Sequence, residues 1–240
     1  MPDLTAVPAR RRARNPQGEG GRLREELIAA ADRILSRTGD EEGLSLRAVA
    51  REAGVAAPSI YLHFADKREL VREVRLARFA ELVAAIERAA STATGPDDGL
   101  RAGCLGYCRF ALDHPHAYRV LFGATTTLFR DDDGPDRMDP PGMDAFFVLV
   151  NAVQACMDGG AAPKGDAMRA ATSIWAALHG AVTLRQSVPT FPWPPIADEV
   201  EDILVGLVGI RPSPPTPPPA AGRLSSPTPP PAVGEGGKDG

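Results

Sequence analysis

The side chains best placed to bind an anion lie between residues 45 and 67. Lys67 follows Asp66, and Glu69 stands three residues after that aspartate, a capping-box pattern that predicts a helix beginning at Lys67. A lysine in the first helical turn opposes the helix dipole by about 0.3 to 1 kcal/mol. The position becomes favourable when an external anion lies there, because a helix N-terminus beside an ammonium forms a phosphate site. Lys67 is therefore the first candidate for a phosphate contact.

Two short helices joined by a tight turn are predicted just before this lysine, in the segment SLRAVAREAGVAAPSIYLHF, residues 45–64. Ser45 is a good N-cap, and Leu46, Val49 and Ala50 then repeat at helical spacing. Gly54 stands where the chain must reverse, a position that often requires positive φ. The second helix is expected from about Ala57 to Phe64, with Pro58 in its first turn. The pattern is that of a helix-turn-helix.

The second of these helices presents two different faces. Ile60 and Phe64 are spaced i and i+4 and point inward. The opposite face is small and polar, so it fits a major groove about as wide as a helix. Its members are Ala56, Ala57, Ser59, Tyr61 and His63. Within that face, Ser59 and His63 are the candidates for contacts with base edges.

The string from Ser45 through IYLHFADKRELV resembles the DNA-binding domain of the TetR family, and the resemblance covers residues 22–82. It implies a three-helix amino-terminal domain that binds operator DNA, and a helical carboxy-terminal domain that dimerises and binds a small ligand. Tyr61 matches the family tyrosine that hydrogen-bonds a phosphate. Ser45 and Arg47, at the start of the first short helix, are further candidates for backbone contacts.

Plainer interpretations remain open for several of these residues. A helix-turn-helix pattern can be a simple helical hairpin. His63 can pack against its own domain, Tyr61 can cover the core, and Arg47 can be a solvated charge. For the whole chain, the alternative is a helical ligand-binding protein or enzyme with a vestigial helix-turn-helix.

The charge is unevenly distributed along the 240 residues. Residues 1–80 carry 15 basic and 12 acidic side chains, whereas residues 81–240 carry 12 basic and 19 acidic ones. This asymmetry is expected when only the amino-terminal part contacts phosphates. No apolar run is long enough to cross a bilayer and no signal peptide is evident, so we expect a cytoplasmic protein with no membrane contact.

The pattern predicts an all-α fold with four segments. Residues 1–20 form a disordered basic arm that either follows phosphates or floats as a tail, and residues 21–82 form the DNA-binding domain with its motif at 45–64. Residues 83–210 form the ligand-binding and dimerisation domain, and residues 211–240 a disordered proline-rich tail. The expected helices are 22–37, the two of the motif, 67–90, 100–113, 116–122, 142–158, 166–187 and 196–209.

Three groups of potential metal ligands are interpreted as structural. Cys104 and Cys108 are spaced i and i+4 on one helix, and with Cys156 they suggest buried thiols in a reducing compartment. The sequence HPH at 114–116 is typical of a helix junction. The acidic segment 130–141 lacks the glutamate that closes a calcium loop. We therefore expect no metal and no cofactor.

The segment WAALHG, residues 175–180, resembles the Trp-His-Gly signature of one class of carboxy-terminal domains in the TetR family. Trp175 and His179 share one helix face with Met168, and they form either a pocket wall or a packing stripe. Gly180 in mid-helix costs about 1 kcal/mol relative to alanine, which suggests close approach by another backbone or a ligand. The candidate ligand contacts are Phe110, Met143, Phe146, Trp175 and His179.

These patterns predict a transcriptional regulator without catalytic activity, most simply a repressor. The resemblance implies a homodimer in which the Trp175 helix and the last helix, 196–209, form a four-helix bundle with their symmetry mates. Its expected partners are a palindromic double-stranded operator and an unidentified small-molecule effector.

Overall fold

A computed structural model describes residues 20–39, 41, 43–122 and 142–212. These residues form α-helices and connecting turns, with no β-strand among them, which confirms the all-α prediction. The basic arm before Gly20, the acidic segment 130–141 and the tail from residue 213 onward lie outside the described residues. The helices are α1 (Gly20–Thr38), α2 (Leu46–Glu52), α3 (Ala57–Ile60), α4 (Lys67–Ala90), α5 (Pro96–Asp113), α6 (Pro115–Phe122), α7 (Met143–Asp158), α8 (Ala167–Ser187) and α9 (Ile196–Val208).

The helix-turn-helix forms as its local signals predict. The Ser45 hydroxyl oxygen accepts a hydrogen bond from the Ala48 amide at 3.2 Å and so caps α2. Gly54 adopts φ of +70° in the turn, a conformation that side chains with a Cβ rarely take. Ile60 and Phe64 are fully buried beneath α1 and α2, where they close a core with Leu27.

The second short helix is shorter than predicted, because α3 ends at Ile60 rather than at Phe64. Beyond it the chain turns more tightly, with the Leu62 amide donating to the Ser59 carbonyl and the His63 amide to the Ile60 carbonyl. These i to i+3 bonds tighten the chain, and the Phe64 amide also donates to the Ile60 carbonyl in a single i to i+4 bond. The burial of Phe64 then fixes the end of the segment. Tyr61 and His63 are therefore presented by a turn.

Helix α4 starts at the predicted residue through a variant of the capping box. The Asp66 carboxylate accepts from the Glu69 amide at 2.9 Å, while the Glu69 carboxylate accepts from the Ala65 amide at 2.7 Å, one residue before the cap. The helix then packs along α1, where the Arg78 guanidinium donates to the Asp32 carboxylate at 2.7 Å. This half-buried ion pair ties the middle of α4 to the amino-terminal domain.

A second core lies beyond the middle of α4 and is built from α4 to α9. Helix α5 begins at Pro96, earlier than the predicted residue 100, because Pro96 is tolerated in the first turn. Helices α4 and α5 approach closely, since a Cβ at Gly106 would lie 2.8 Å from that of Ala89. The HPH segment is the predicted helix junction: α5 ends before His114 and α6 starts at Pro115.

The remaining helices, α7 to α9, follow the predicted boundaries within one or two residues. Asp166 caps α8 by accepting from the Arg169 amide at 3.0 Å, and Gly209 ends α9 with φ of +66°. Among the helices of the described ranges, none is long and apolar enough to cross a membrane.

Candidate functional site

The exposed side of α3 and the turn after it form the first candidate site. We call it the reading surface and define it as Ala56, Ala57, Ser59, Tyr61, Leu62 and His63. Ala56 and Tyr61 are exposed, and Ala57, Ser59 and His63 are half-buried. Tyr61 is 54% exposed and therefore does not simply cover the core. The predicted reading residues thus reach solvent on one side of the domain.

Leu62 was missed by the sequence interpretation, although it lies at the centre of this surface. It is 84% exposed, the highest value among the exposed large apolar residues of the described ranges. An ideal helix from Ala57 to Phe64 gave no reason to single out this residue. The early end of α3 at Ile60 leaves it on the turn, projecting into solvent.

Ser45 and Arg47, two of the predicted phosphate contacts, are both exposed at the start of α2. The Ser45 oxygen accepts the capping hydrogen bond, and its hydroxyl proton is still able to donate. These positions are compatible with contacts to a nucleic-acid backbone.

Lys67 is more constrained than the sequence suggested. Its side chain is half-buried, and its ammonium donates to the backbone carbonyl of Glu41. The Glu41 carboxylate in turn pairs with the buried guanidinium of Arg75. An ammonium has three donors, so one bond to a carbonyl leaves two for another acceptor. The contact holds the Lys67 ammonium near the N-terminus of α4.

The second candidate site is a cavity of about 340 Å³ enclosed by α4, α5, α7 and α8, with Phe122 of α6 in its wall. Its wall is almost entirely apolar. Among the described residues it is lined by Phe79, Leu82, Ile86, Glu87, Ala90, Gly99, Leu100, Gly103, Cys104, Tyr107, Phe122, Gly142, Met143, Ala145, Phe146, Val148, Leu149, Ala152, Thr172, Trp175 and Leu178. A concave, mostly apolar pocket of this size is typical of a small-molecule site.

Three of the five predicted ligand residues lie in this wall: Met143, Phe146 and Trp175. The other two are placed elsewhere. Phe110 packs on the ring of His114, with the ring centroids 5.3 Å apart, at the α5 to α6 junction. His179 lies one helical turn beyond Trp175 and contacts Phe122 from behind the wall. Periodicity placed these residues inside the domain but did not distinguish the cavity wall from the packing behind it.

A chain of polar groups runs behind one side of the cavity and was not foreseen from the sequence. The hydroxyls of Tyr107 and Tyr118 lie 2.6 Å apart, and the Tyr118 hydroxyl lies 2.6 Å from His179 Nδ1. Burial raises the pKa of both tyrosines and lowers the pKa of His179. The three groups are therefore neutral at physiological pH. They stand on three different helices, so no local pattern brings them together.

The three cysteines are buried free thiols, as predicted. Burial raises the pKa of Cys108 to about 12 and that of Cys156 to about 11, so these thiols stay protonated. Within the described ranges, no group of three or more His, Cys, Asp or Glu side chains is arranged to hold a metal ion.

One expectation about α8 requires correction, because Met168 is 43% exposed and does not pack in the interior as the half-buried Trp175 does. A Cβ added at Gly180 would meet no atom of the described chain within 4 Å, so the expected approach by another backbone or a ligand is not made by the described residues of this protomer. Helix α8 therefore has an open side, and Gly206 of α9 likewise has open space above it.

The arrangement of a helix-turn-helix on a helical domain with a cavity matches two family models. Residues 27–74 match the model of bacterial regulatory proteins of the TetR family, and residues 100–208 match the tetracyclin repressor-like C-terminal domain. The two segments together make up more than half of the chain. The chain belongs to the TetR family. It is a DNA-binding transcription regulator, and the match at residues 27–74 contains the whole reading surface.

Relatives of this TetR-family chain agree with that assignment. It is 32% identical over 131 residues to FasR, a helix-turn-helix transcriptional activator of Mycolicibacterium smegmatis, covering 51% of this chain and 59% of that protein. It is 27% identical over 164 residues to an uncharacterized helix-turn-helix regulator of Mycobacterium tuberculosis, covering 68% and 70%. A protein of unknown function from Rhodococcus sp. RHA1 has a similar structure, with a TM-score of 0.67, 29% identity and coverage of 81% and 99%.

Proposed function

We propose that this TetR-family regulator is a ligand-responsive repressor that acts as a homodimer on a palindromic operator. One observation carries the proposal: α4 belongs to both candidate sites. It begins with Lys67 beside the reading surface, and it contributes Phe79, Leu82 and Ile86 to the cavity wall. A ligand that displaces this wall displaces the helix on which the amino-terminal domain packs. Cavity occupancy and the position of the reading surface are therefore coupled.

Helix α6 supplies a second link between the two candidate sites. Val120 is buried in the amino-terminal core, whereas Leu121 is buried in the carboxy-terminal core and Phe122 lines the cavity. Consecutive residues of one helix thus pack into both domains. Because packed cores respond as units, a change at Phe122 is transmitted through α6 to the amino-terminal core.

The homodimer is supported by the open side of α8 and α9. Five of the exposed large apolar side chains in the described ranges lie on α8, on α9 and in the segment between them: Met168, Leu184, Val188, Phe191 and Leu207. Gly180 and Gly206 leave room for close approach by another helix. Exposed apolar side chains on the same two helices as these glycines fit a self-association interface.

In this proposal the two reading surfaces of a dimer enter successive major grooves, about 34 to 36 Å apart. Ser45, Arg47, Tyr61 and Lys67 contact phosphates, and Ser59 and His63 contact base edges. A ligand that favours a dimer with a different spacing lowers operator affinity by population shift. We also assign the carboxy-terminal domain to the Trp-His-Gly class of the family and the protein to the cytoplasm.

An electrophoretic mobility shift with the DNA upstream of its own gene tests the proposal. We expect a specific shifted band that a bacterial metabolite extract abolishes. A band that the extract strengthens would favour activation, the mode named for FasR of M. smegmatis. Absence of specific binding to this or to randomised DNA would favour the alternative of a ligand-binding protein or enzyme with a vestigial helix-turn-helix.

A further inference from the structure

We propose that the cavity takes a hydrocarbon-like molecule whose enclosed part carries no hydrogen-bonding group and whose polar end, uncharged or cationic, lies at the rim beside Glu87. This inference rests on the proposed function of the cavity as the effector site. It adds the chemical class of the ligand.

The polar side chains in the wall are few. Among the described lining residues, those with polar side-chain atoms are Glu87, Cys104, Tyr107, Thr172 and Trp175. The Thr172 hydroxyl donates to the Met168 carbonyl at 2.8 Å. Burial raises the pKa of the Cys104 thiol, which therefore stays neutral. A thiol is only a weak hydrogen-bond donor.

Tyr107 is occupied by the polar chain behind the wall. Its hydroxyl lies 2.6 Å from that of Tyr118, and the Tyr118 hydroxyl lies 2.6 Å from Nδ1 of His179. With Nδ1 of neutral His179 as the acceptor, Tyr107 donates to Tyr118 and Tyr118 donates to Nδ1. The Tyr107 proton is thereby directed along this chain and away from the cavity.

The mostly apolar wall determines what the enclosed part of a ligand must be. A hydroxyl or amide brought into this cavity loses its water and meets mainly carbon among the described wall residues, which weakens binding by about tenfold or more. An alkyl or aromatic group gains from contact with the surrounding carbon wall. With about 30 Å³ for each methylene-sized group, a 340 Å³ cavity holds roughly ten or eleven of them.

The charged residue at the rim of the cavity determines which charge the polar end of the ligand can carry. Glu87 is an exposed residue of α4 and is the one charged side chain among the described residues of the wall. A carboxylate head group close to it is repelled, whereas an ammonium is attracted. A unit charge at about 4 Å in water changes binding by about fivefold in either direction.

Four ten-carbon probes separate these features when titrated calorimetrically into the full chain without DNA: 1-decanol, 1,10-decanediol, decylamine and decanoate. We expect decanol and decylamine to bind, the diol to bind about tenfold more weakly than decanol, and decanoate to bind at least fivefold more weakly than decylamine. Equal binding of diol and decanol overturns the apolar interior. Decanoate binding as tightly as decylamine overturns the role of the rim.

A variant of Glu87 and its control locate the charge effect in the cavity. Glu87→Gln should narrow the decylamine to decanoate ratio by at least about fivefold, while the matched control Glu25→Gln, which removes an exposed carboxylate from α1, leaves the ratio unchanged. Circular dichroism checks that each variant is folded. If Glu87→Gln and Glu25→Gln change the decylamine to decanoate ratio equally, the preference for the amine comes from the overall charge of the protein. That result overturns the proposal.

The same probes added to the operator complex test the proposed function separately. Probes that bind with the expected ranking but leave the complex intact support the ligand class and contradict ligand-responsive regulation. A complex released by a metabolite extract, in a protein that fails to bind decanol, supports the regulation and overturns the ligand class.

Discussion

Gly142 lies against the ring of Phe79 so closely that a Cβ on the glycine would stand 2.4 Å from Phe79 Cζ. The glycine precedes the first residue of α7, with φ of +101°, and Phe79 is buried in α4. The start of α7 therefore packs directly on the part of α4 that lines the cavity, and only a residue without a side chain allows this contact.

Gly142→Ala is expected to strain this contact. The positive φ alone costs about 1 to 2 kcal/mol, and the methyl group must displace the Phe79 ring and the α4 segment that carries it. We predict a lower free energy of unfolding in urea and a changed operator affinity. The control is Gly21→Ala in α1, where a Cβ meets no atom within 4 Å. An unchanged operator affinity of Gly142→Ala would separate the cavity wall from DNA binding.

His179 should make folding stability depend on pH on the acid side. Its pKa is lowered by burial, so below about pH 6.5 the unfolded chain binds a proton that the folded protein does not take up. The unfolded state then binds more protons, and stability falls as pH falls through this range. We predict that His179→Gln reduces the loss of stability between about pH 7.5 and about pH 5.5. The free energy of unfolding in urea, measured at both pH values, gives this loss of stability.

The exposed His116 of α6 supplies the control for this measurement. His116→Gln should retain the pH dependence of the wild type. Equal slopes for the wild type and His179→Gln would assign the dependence to other groups.

Lys67→Ala should reduce the salt dependence of operator binding. Each phosphate contact contributes about 0.9 to the slope of log affinity against log salt concentration, so the slope falls by about 0.9 for each protomer. Fluorescence anisotropy between about 50 and 200 mM salt measures the slope. Lys164→Ala, in the carboxy-terminal domain, should leave it unchanged. Identical slopes for Lys67→Ala and the wild type would show that the ammonium contacts only Glu41.

Leu62→Ala should lower operator affinity without affecting the fold. The side chain is 84% exposed, so its removal changes the free energy of unfolding by no more than about 0.5 kcal/mol. On DNA, an apolar side chain can contact the thymine methyl group, so its loss should weaken the preference for thymine at that position. The affinities for operators with single base changes measure this discrimination, and Leu76→Ala on α4 is the control. An unaltered base preference in Leu62→Ala would show that Leu62 does not contact a base.

Leu207→Glu should dissociate the proposed dimer. Leu207 is 51% exposed on α9, and a carboxylate placed in an apolar interface without a partner is strongly unfavourable. We expect sedimentation equilibrium to show a monomer with normal helix content and with operator affinity greatly reduced. Leu76→Glu on α4 is the matched control. A Leu207→Glu protein that sediments as the wild type does would place the interface elsewhere.

The local elements were determined largely by the sequence. Ser45, Gly54 and Asp66 specify their caps and turn through hydrogen bonds and φ values that involve only neighbouring residues. Leu27 and Ile34, seven residues apart in the sequence, are likewise both buried on one face of α1. These signals depend on contacts within about one helical turn, and for this reason the helix-turn-helix is recognisable in the amino-acid sequence alone.

Tertiary structure alone decided which side chains form the sites. Helical spacing placed both Trp175 and His179 inside the domain, but only the packing of α6 against α8 put Phe122 in the cavity wall and His179 behind it. The hydrogen bonds between Tyr107, Tyr118 and His179 likewise join three helices. A sequence period reports the face of one helix, whereas a cavity and a buried polar chain depend on how several helices are positioned relative to one another.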